Sequence, residues 1–258
     1  MNILVFDIET VPDIESGKKL YQLEGLQNEA AAELMFSHRR QETDCNNDFL
    51  RHYMHKIVAI SLVLRSGDKL NCWSLGTAES EEIELIERFF EGLDKYTPTI
   101  VSWNGSGFDL PVLHYRSLLH GVVAQRYWEN GDYDNSFKWN NYLSRFHTRH
   151  TDLMDVLSGY MPQCKAPLDQ IATILGFPGK MGMSGDKVWD SYNAGDIEGI
   201  RNYCETDVLN TYLVYLRYEL IRGRLVPDAY EKECNLVKTL LIEENKPHFI
   251  EFLDAWQG

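Results

Sequence analysis

Four acids and one tyrosine have residue types and spacings suited to chemistry. Asp7 and Glu9 stand at i and i+2 in the apolar run NILVFDIE, residues 2–9. A strand has period two, so both side chains leave the same face. Two acids on one face of a buried strand repel each other and lose solvation, and a divalent cation is the simplest compensation. The competing reading is a strand that ends here with both acids in water. Asp109 belongs to Asn104-Gly105-Ser106-Gly107-Phe108-Asp109-Leu110-Pro111, which follows the strand-like TIVSW at 99–103. It begins a helix where a strand ends, so its carboxylate either points back over the sheet edge or simply caps the helix. Tyr203 and Asp207 in YCETD lie four apart, on one face of a helix. Taken alone, that pair reads equally well as surface polarity.

The elements that must position these residues follow from periodicity. Residues 2–9 read as a central strand ended by Pro12. Residues 56–64 (KIVAISLVL) form a second strand, SGD at 66–68 a turn, and 69–75 the returning strand of a hairpin. Residues 79–95 place Ile83, Ile86, Phe90 and Leu93 at helical spacing, with acids in the first turns. A strand at 99–103 and a helix from Asp109 to His120 come next. Short helices are expected near 152–160 and 167–175, and a Gly-rich loop at 176–185. The longest helix spans about Asp196 to Arg222 and stops at Gly223. The tail reads as two helices broken at Pro247. Residues 14–50, helical around 24–40, and the irregular 121–150 read as insertions. The order is that of an α/β chain with a mixed sheet.

Composition narrows the function classes. The 258 residues carry 25 Lys and Arg against 39 Asp and Glu, a net charge of −14. That balance argues against coating duplex DNA by bulk charge, but not against one local, cation-neutralised site. Cys45, Cys72, Cys164, Cys204 and Cys234 form no C-x-x-C pair, which argues for a reducing compartment and against a disulfide framework. The start, MNILVFDIET, has no basic n-region, and no stretch is long enough to span a membrane. A cytoplasmic location with no membrane partner is the expectation.

Together the three acidic pieces are far more specific than each alone. FDIET, then N-G-x-x-F-D-x-P about a hundred residues on, then Y-x-x-x-D about a hundred further, resemble the three exonuclease motifs of the DEDD superfamily in its Tyr branch. The chain resembles the stand-alone, polymerase-B-like predicted 3′–5′ exonucleases from residue 1 to about 220, through RHTDLMDVL and LGFPGKMGM as well as the motifs. The resemblance implies an RNase H-like fold: a mixed five-stranded sheet flanked by helices, with helical and loop insertions. One exonuclease domain would cover 1–225, with 226–258 a helical extension packed on it. It also implies that Asp7, Glu9, Asp109 and Asp207 hold two divalent ions, Mg²⁺ or Mn²⁺, about 4 Å apart. Asp7 would bridge both ions. Glu9 and Asp207 would complete the ion at the attacking water, and Asp109 would serve the ion at the leaving oxygen. Tyr203 would orient that water. Thr10, Val11, Asn104 and Phe108 are implied as substrate contacts. The partners would be 3′ ends of single-stranded DNA or RNA, DNA favoured, with any polymerase or repair partner unspecified.

Other features have blander explanations beside the functional one. Tyr127, Trp128, Tyr133, Phe137, Trp139, Tyr142 and Phe146 interleave with Lys138, Arg145 and Arg149, which suits stacking on a single strand or the packing of a local lobe. Arg51, His52, His55, Lys56 and Arg65 line a groove or flank a strand. Asp152 and Asp155 read as a helix cap and a first-turn acid. Lys180 and Lys187 read as solvated loop residues or as neutralisers of a transition state. A D-x-D-x-T phosphatase would explain FDIET, but it leaves Asn104 to Asp109 and Tyr203 without a task. A non-catalytic binding module on the same fold would normally have lost a ligand, and here none is missing.

Overall fold

The computed structural model describes residues 2–45 and 47–256. Its five strands are β1 (Ile3–Pro12), β2 (His55–Ser66), β3 (Lys69–Ser74), β4 (Thr99–Ser102) and β5 (His150–Asp152), in the sheet order β3-β2-β1-β4-β5. β1 lies at the centre, antiparallel to β2 and parallel to β4; β2 and β3 form a hairpin, and β5 runs parallel to β4. This is the mixed, RNase H-like α/β sheet expected. The helices are α1 (Ile14–Tyr21), α2 (Asn28–Glu42), α3 (Glu82–Tyr96), α4 (Asp109–His120), α5 (Gln125–Trp128), α6 (Leu153–Leu157), α7 (Leu168–Ile174), α8 (Val188–Asn193), α9 (Ile197–Ile221), α10 (Pro227–Glu244) and α11 (Pro247–Ala255).

The alternation of β1 sorts the core into two layers. Leu4, Phe6 and Ile8 face α3 and α4, against Leu85, Ile86, Phe89, Leu110 and Leu113. Ile3 and Val5 face the other way, against Val208, Leu209, Tyr212 and Leu213 of α9. α10 and α11 cover the outer side of α9 with Val237, Leu241, Phe249 and Phe252, so its C-terminal half is buried nearly all round. Among the described residues no helix is long and apolar enough to cross a membrane.

Several elements differ from the sequence reading. β1 continues through Pro12, because β4 pairs with it only as far as Val5 and a proline in the last strand position interrupts no ladder there. The 14–50 segment contains two helices rather than one. α8 falls between the expected 176–185 loop and the long helix, where no element was read, and β5 is three residues long, too short to show a period.

α4, which begins with Asp109, is fixed by a buried ionic network. Arg116 pairs with Asp13 just beyond β1 and with Glu82 at the start of α3, its Nε donating to Glu82 Oε1 at 2.7 Å. Glu82 also accepts the Ile57 N–H at 2.6 Å and the His120 ring at 2.8 Å. Asp13 caps α1 by accepting the Ser16 N–H at 3.1 Å. Burial alone would raise the Asp13 pKa, but hydrogen bonds from Ser16 and Arg116 hold it below the ordinary carboxylate value. Removing one partner of such a network leaves buried charge uncompensated. Arg116→Ala is therefore expected to lower unfolding stability by about 3–5 kcal/mol; a loss under 1 kcal/mol in urea titration would contradict that role.

Candidate active site

Asp7 and Glu9 leave β1 on its α9 face, as the period of two requires. The register carries Asp7 opposite Ser61 and Glu9 opposite Ala59, then shifts between Glu9 and Thr10, so that Thr10 faces Ile57. The extra residue, Val58, lies in β2, a bulge beside the acids that locally bends the pair. The seam between sheet and α9 is apolar on both sides of them. Val5, Val101, Val208 and Leu209 pack at one end. Val11, Ala59, Ile200 and Cys204 pack at the other. Tyr203 and Asp207 enter this gap from consecutive turns of α9.

Asp109 reaches the same place from the opposite layer. β4 stops pairing with β1 at Val5, so the β1 edge beyond has no strand partner. The Ile8 N–H there donates to Asp109 Oδ1 at 3.3 Å. The residue at the cap position of α4 is Phe108 and Asp109 is the first helical residue, so its side chain is free to serve the sheet edge.

The loop that delivers Asp109 is held by partners the sequence reading did not assign. Asp152 caps α6, as expected, accepting the Asp155 N–H at 3.3 Å. It also accepts the N–H groups of Asn104 and Ser106, each at 2.9 Å. Asn104 has φ 64°, and a Cβ on Gly105 or Gly107 would collide with Ser102 Oγ or Asn104 Oδ1. Gly105 is required by this close approach, because the Ser102 Cβ is also in the way; at Gly107 only the end of the Asn104 side chain would have to move. On the outer side His52 Nε2 donates to the Gly107 carbonyl at 2.8 Å. Lys165 Nζ donates to Asn104 Oδ1 at 3.3 Å.

The four carboxylates feel one another. Burial, then Asp109, Glu9 and Asp207, push the Asp7 pKa well above the ordinary range, and burial, Asp207 and Asp109 do the same to Glu9. Burial raises Asp109 to about 7 and Asp207 to about 6. Burial and the neighbouring acids also push the Tyr203 phenol far above its ordinary value. Cys204, missed in the sequence because a lone buried cysteine carries no spacing signal, lies among them. Its Sγ and an oxygen of each of Asp7 and Glu9 lie within 4.8 Å of one another. Burial keeps it a thiol, donating toward the Asp7 carbonyl at 3.5 Å and Oδ2 at 3.7 Å.

The remaining candidates divide. Thr10 donates its hydroxyl to His55 Nδ1 at 2.9 Å, because His55 Nε2 donates to the Leu50 carbonyl at 3.1 Å. Burial lowers the His55 pKa to about 4, so the ring is neutral. Val11 is 2% exposed and packs in the core, leaving only its backbone for any ligand. Phe108 is half-buried with its ring 5.1 Å from that of His55. Arg65 pairs with Glu233 at 2.7 Å at the far end of β2, away from the acids. Tyr127, Phe137 and Tyr142 are buried in the core layer of α3 and α4, whereas Tyr133, Trp139 and Phe146 are exposed. The charge of Lys180 reaches Asp207 and opposes the rise in its pKa.

Raised carboxylate pKa values have a definite sign for stability. The unfolded acids release their protons near pH 4, the folded ones nearer 6 to 7, so between these values the folded chain binds more protons. Stability in excess EDTA should therefore fall as pH rises from about 4 to 7, by up to about 1.4 kcal/mol per pH unit for each such group. Asp7→Asn should raise the melting temperature at pH 8 and flatten that slope. A wild-type melting temperature that is flat or rising over this range would contradict the coupling.

Comparison with known proteins adds the family. A family described as predicted 3′-5′ exonucleases related to the exonuclease domain of PolB matches residues 47–256. The match extends through α10 and α11 and begins after the first acidic motif. The catalytic polypeptide of DNA polymerase epsilon from Saccharomyces cerevisiae is 25% identical over 150 residues, 54% of this chain and 6% of that protein. Its Emericella nidulans namesake is 26% identical over 147 residues, again 54% of this chain and 6% of the relative. A family B DNA polymerase structure from the archaeon Pyrobaculum calidifontis aligns with 94% of this chain and 28% of its own, at 16% identity and a TM-score of 0.49. The chain belongs to the predicted 3′-5′ exonucleases related to the exonuclease domain of PolB.

Proposed function

We propose that the protein is a metal-dependent 3′–5′ exonuclease that hydrolyses the terminal phosphodiester of single-stranded nucleic acid, with DNA the favoured substrate. The observation that carries the proposal is the convergence of Asp7, Glu9, Asp109 and Asp207, buried acids from three separate elements; burial raises all four, and the charges of Asp109 and Asp207 raise Asp7 and Glu9 further. Such a convergence is costly for the empty protein and suited to cations. The donor set is mainly carboxylate oxygen, which fits Mg²⁺ or Mn²⁺; the Cys204 sulfur beside Asp7 and Glu9 is a soft donor poorly matched to those ions. Asp7, Glu9, Asp109 and Asp207 would hold two such ions. Bound ions would lower the pKa of a water and offset the charge developing on the phosphate.

The rest of the chemistry belongs to the chain. Burial and the neighbouring acids favour the protonated phenol, so Tyr203 would orient the water and need not take its proton. Its O–H faces Asp207, leaving an oxygen lone pair to accept from the attacking water and orient it. The Cys204 thiol supports the Asp7 rotamer from behind. The backbone of Thr10 and Val11, with Asn104 and Phe108, would meet the terminal nucleoside. The preference for DNA is supported by the relatives, which are named as DNA polymerases.

Hydrolysis of a 5′-labelled single-stranded oligonucleotide should shorten it from the 3′ end, require divalent metal and vanish in Asp7→Ala. Undiminished hydrolysis in excess EDTA would sink the proposal. Tyr203→Phe should lower kcat by about a hundredfold with KM nearly unchanged, because the hydroxyl acts only while water attacks. An unchanged kcat would make Tyr203 a packing residue.

A further inference from the structure

An aromatic surface runs outward from the acids on the side built by residues 47–55, and nothing so far gives it a task. Phe49 is 51% exposed, yet its backbone is held from both directions. Its N–H donates to Asn47 Oδ1 and its carbonyl accepts from Arg39 Nε, both at 2.8 Å. Its ring lies 5.1 Å from His55 and 5.4 Å from Phe108. His52 lies 5.8 Å from Phe108 on the same side. Further out, Tyr53 and Tyr115 meet edge to face at 6.0 Å, and both are exposed.

This surface is continuous with the site through three direct links. His55 bonds Thr10, the residue after Glu9. His52 bonds Gly107, two residues before Asp109. Phe108 is Asp109's immediate neighbour. The arginines at its border are already matched: Arg39 and Arg51 pair with Glu42 at 3.0 and 3.1 Å, and Arg40 with Asp48 at 3.3 Å. What it offers a ligand is therefore ring faces more than charge. Duplex DNA presents phosphates outside and stacks its bases within, so it gains little here. An unpaired strand presents both faces of each base.

We infer that Phe49, His52 and Phe108, continued by Tyr53 and Tyr115, form a stacking track that receives the bases of the unpaired 3′ end. The inference rests on the exonuclease reading of the same site. Because hydrogen bonds anchor the Phe49 backbone on both sides, a base meets a ring whose main chain needs no ordering. The 47–55 segment thus sets substrate specificity, selecting ends whose last bases are free.

The test compares binding of two single-stranded oligonucleotides, one intact and one abasic at its last two 3′ positions, by fluorescence anisotropy in an Asp7→Asn background. That background should bind the intact strand about tenfold more tightly. Adding Phe49→Ala should weaken binding of the intact strand about tenfold and leave the abasic strand unchanged. Tyr53→Ala should produce a smaller change of the same kind. Both side chains are exposed, and unchanged melting temperatures would confirm intact folds. Retention of the full base dependence in Phe49→Ala overturns the inference. So does its loss in Trp139→Ala instead, which would route the strand over the 126–149 lobe. Cleavage of the intact strand by the wild-type protein in Mg²⁺ is scored in parallel. No cleavage overturns the exonuclease reading, whereas cleavage with base-independent binding overturns the track alone.

Discussion

The structure turns on a repulsion: four buried carboxylates converge at the central strand, three in its seam with the longest helix and Asp109 at its edge from α4. Left to itself, the seam between β1 and α9 would be a continuous apolar contact. It is apolar at Val5 and Val208 and again at Val11 and Ile200, and only between them do Asp7, Glu9 and Asp207 interrupt it. The acids therefore cannot separate without breaking packing on either side. The cost shows in the upward shift of all four pKa values and of the Tyr203 phenol.

A gap under such strain needs a frame stronger than its repulsion, and the frame is ionic as much as apolar. Arg116 ties α4 to α3 and to the end of β1. Asp152 gathers the amide groups of the Asn104–Ser106 loop. Glu205, beside Cys204 on α9, performs the matching task on the other layer. It accepts the Ser74 N–H at 2.9 Å, Lys246 at 3.1 Å and His248 at 2.9 Å, joining β3, α9 and the C-terminal helices. Burial would raise its pKa, but His248 and Lys246 hold it low, so it is charged where the neighbouring acids are driven toward neutrality. Two classes of buried carboxylate thus alternate through the molecule: matched ones that fasten elements and unmatched ones that converge.

The unmatched class was legible through the resemblance of three segments to exonuclease motifs. Period alone puts Asp7 with Glu9 on one strand face and Tyr203 with Asp207 on one helix face, and it leaves Asp109 reading as a helix cap. The long elements were legible because their period is local. β5 was not, since the three residues His150–Asp152 have no period to read. The matched carboxylates were not either, because their partners are distant: Asp152 reaches Asn104 48 positions away, and Glu205 reaches Ser74 131 away. Asp152 looked like a cap and is one; only folding shows that it also holds the motif loop. Composition likewise suggested that the aromatics of 126–146 act together. Packing divides them into buried Tyr127, Phe137 and Tyr142 and exposed Tyr133, Trp139 and Phe146.

Net charge and local chemistry then constrain how a nucleic acid could approach at all. A chain with a charge of −14 repels a polyanion, over a range that salt limits to about 8 Å at physiological strength. Arginines near the site, Arg39, Arg51 and Arg145, are engaged with Glu42 and Asp155, which leaves less cationic charge for phosphate contacts. Attraction must come from forces that act only at contact and ignore sign. Ring faces supply such a force, and the carboxylate gap supplies a second through the cations it is suited to hold. Both are short in reach, and both require an end with free bases and an accessible phosphate. If the protein acts as proposed, selectivity for an unpaired end would follow from ring faces set beside converging acids, on a chain whose net charge gives a polyanion little attraction elsewhere.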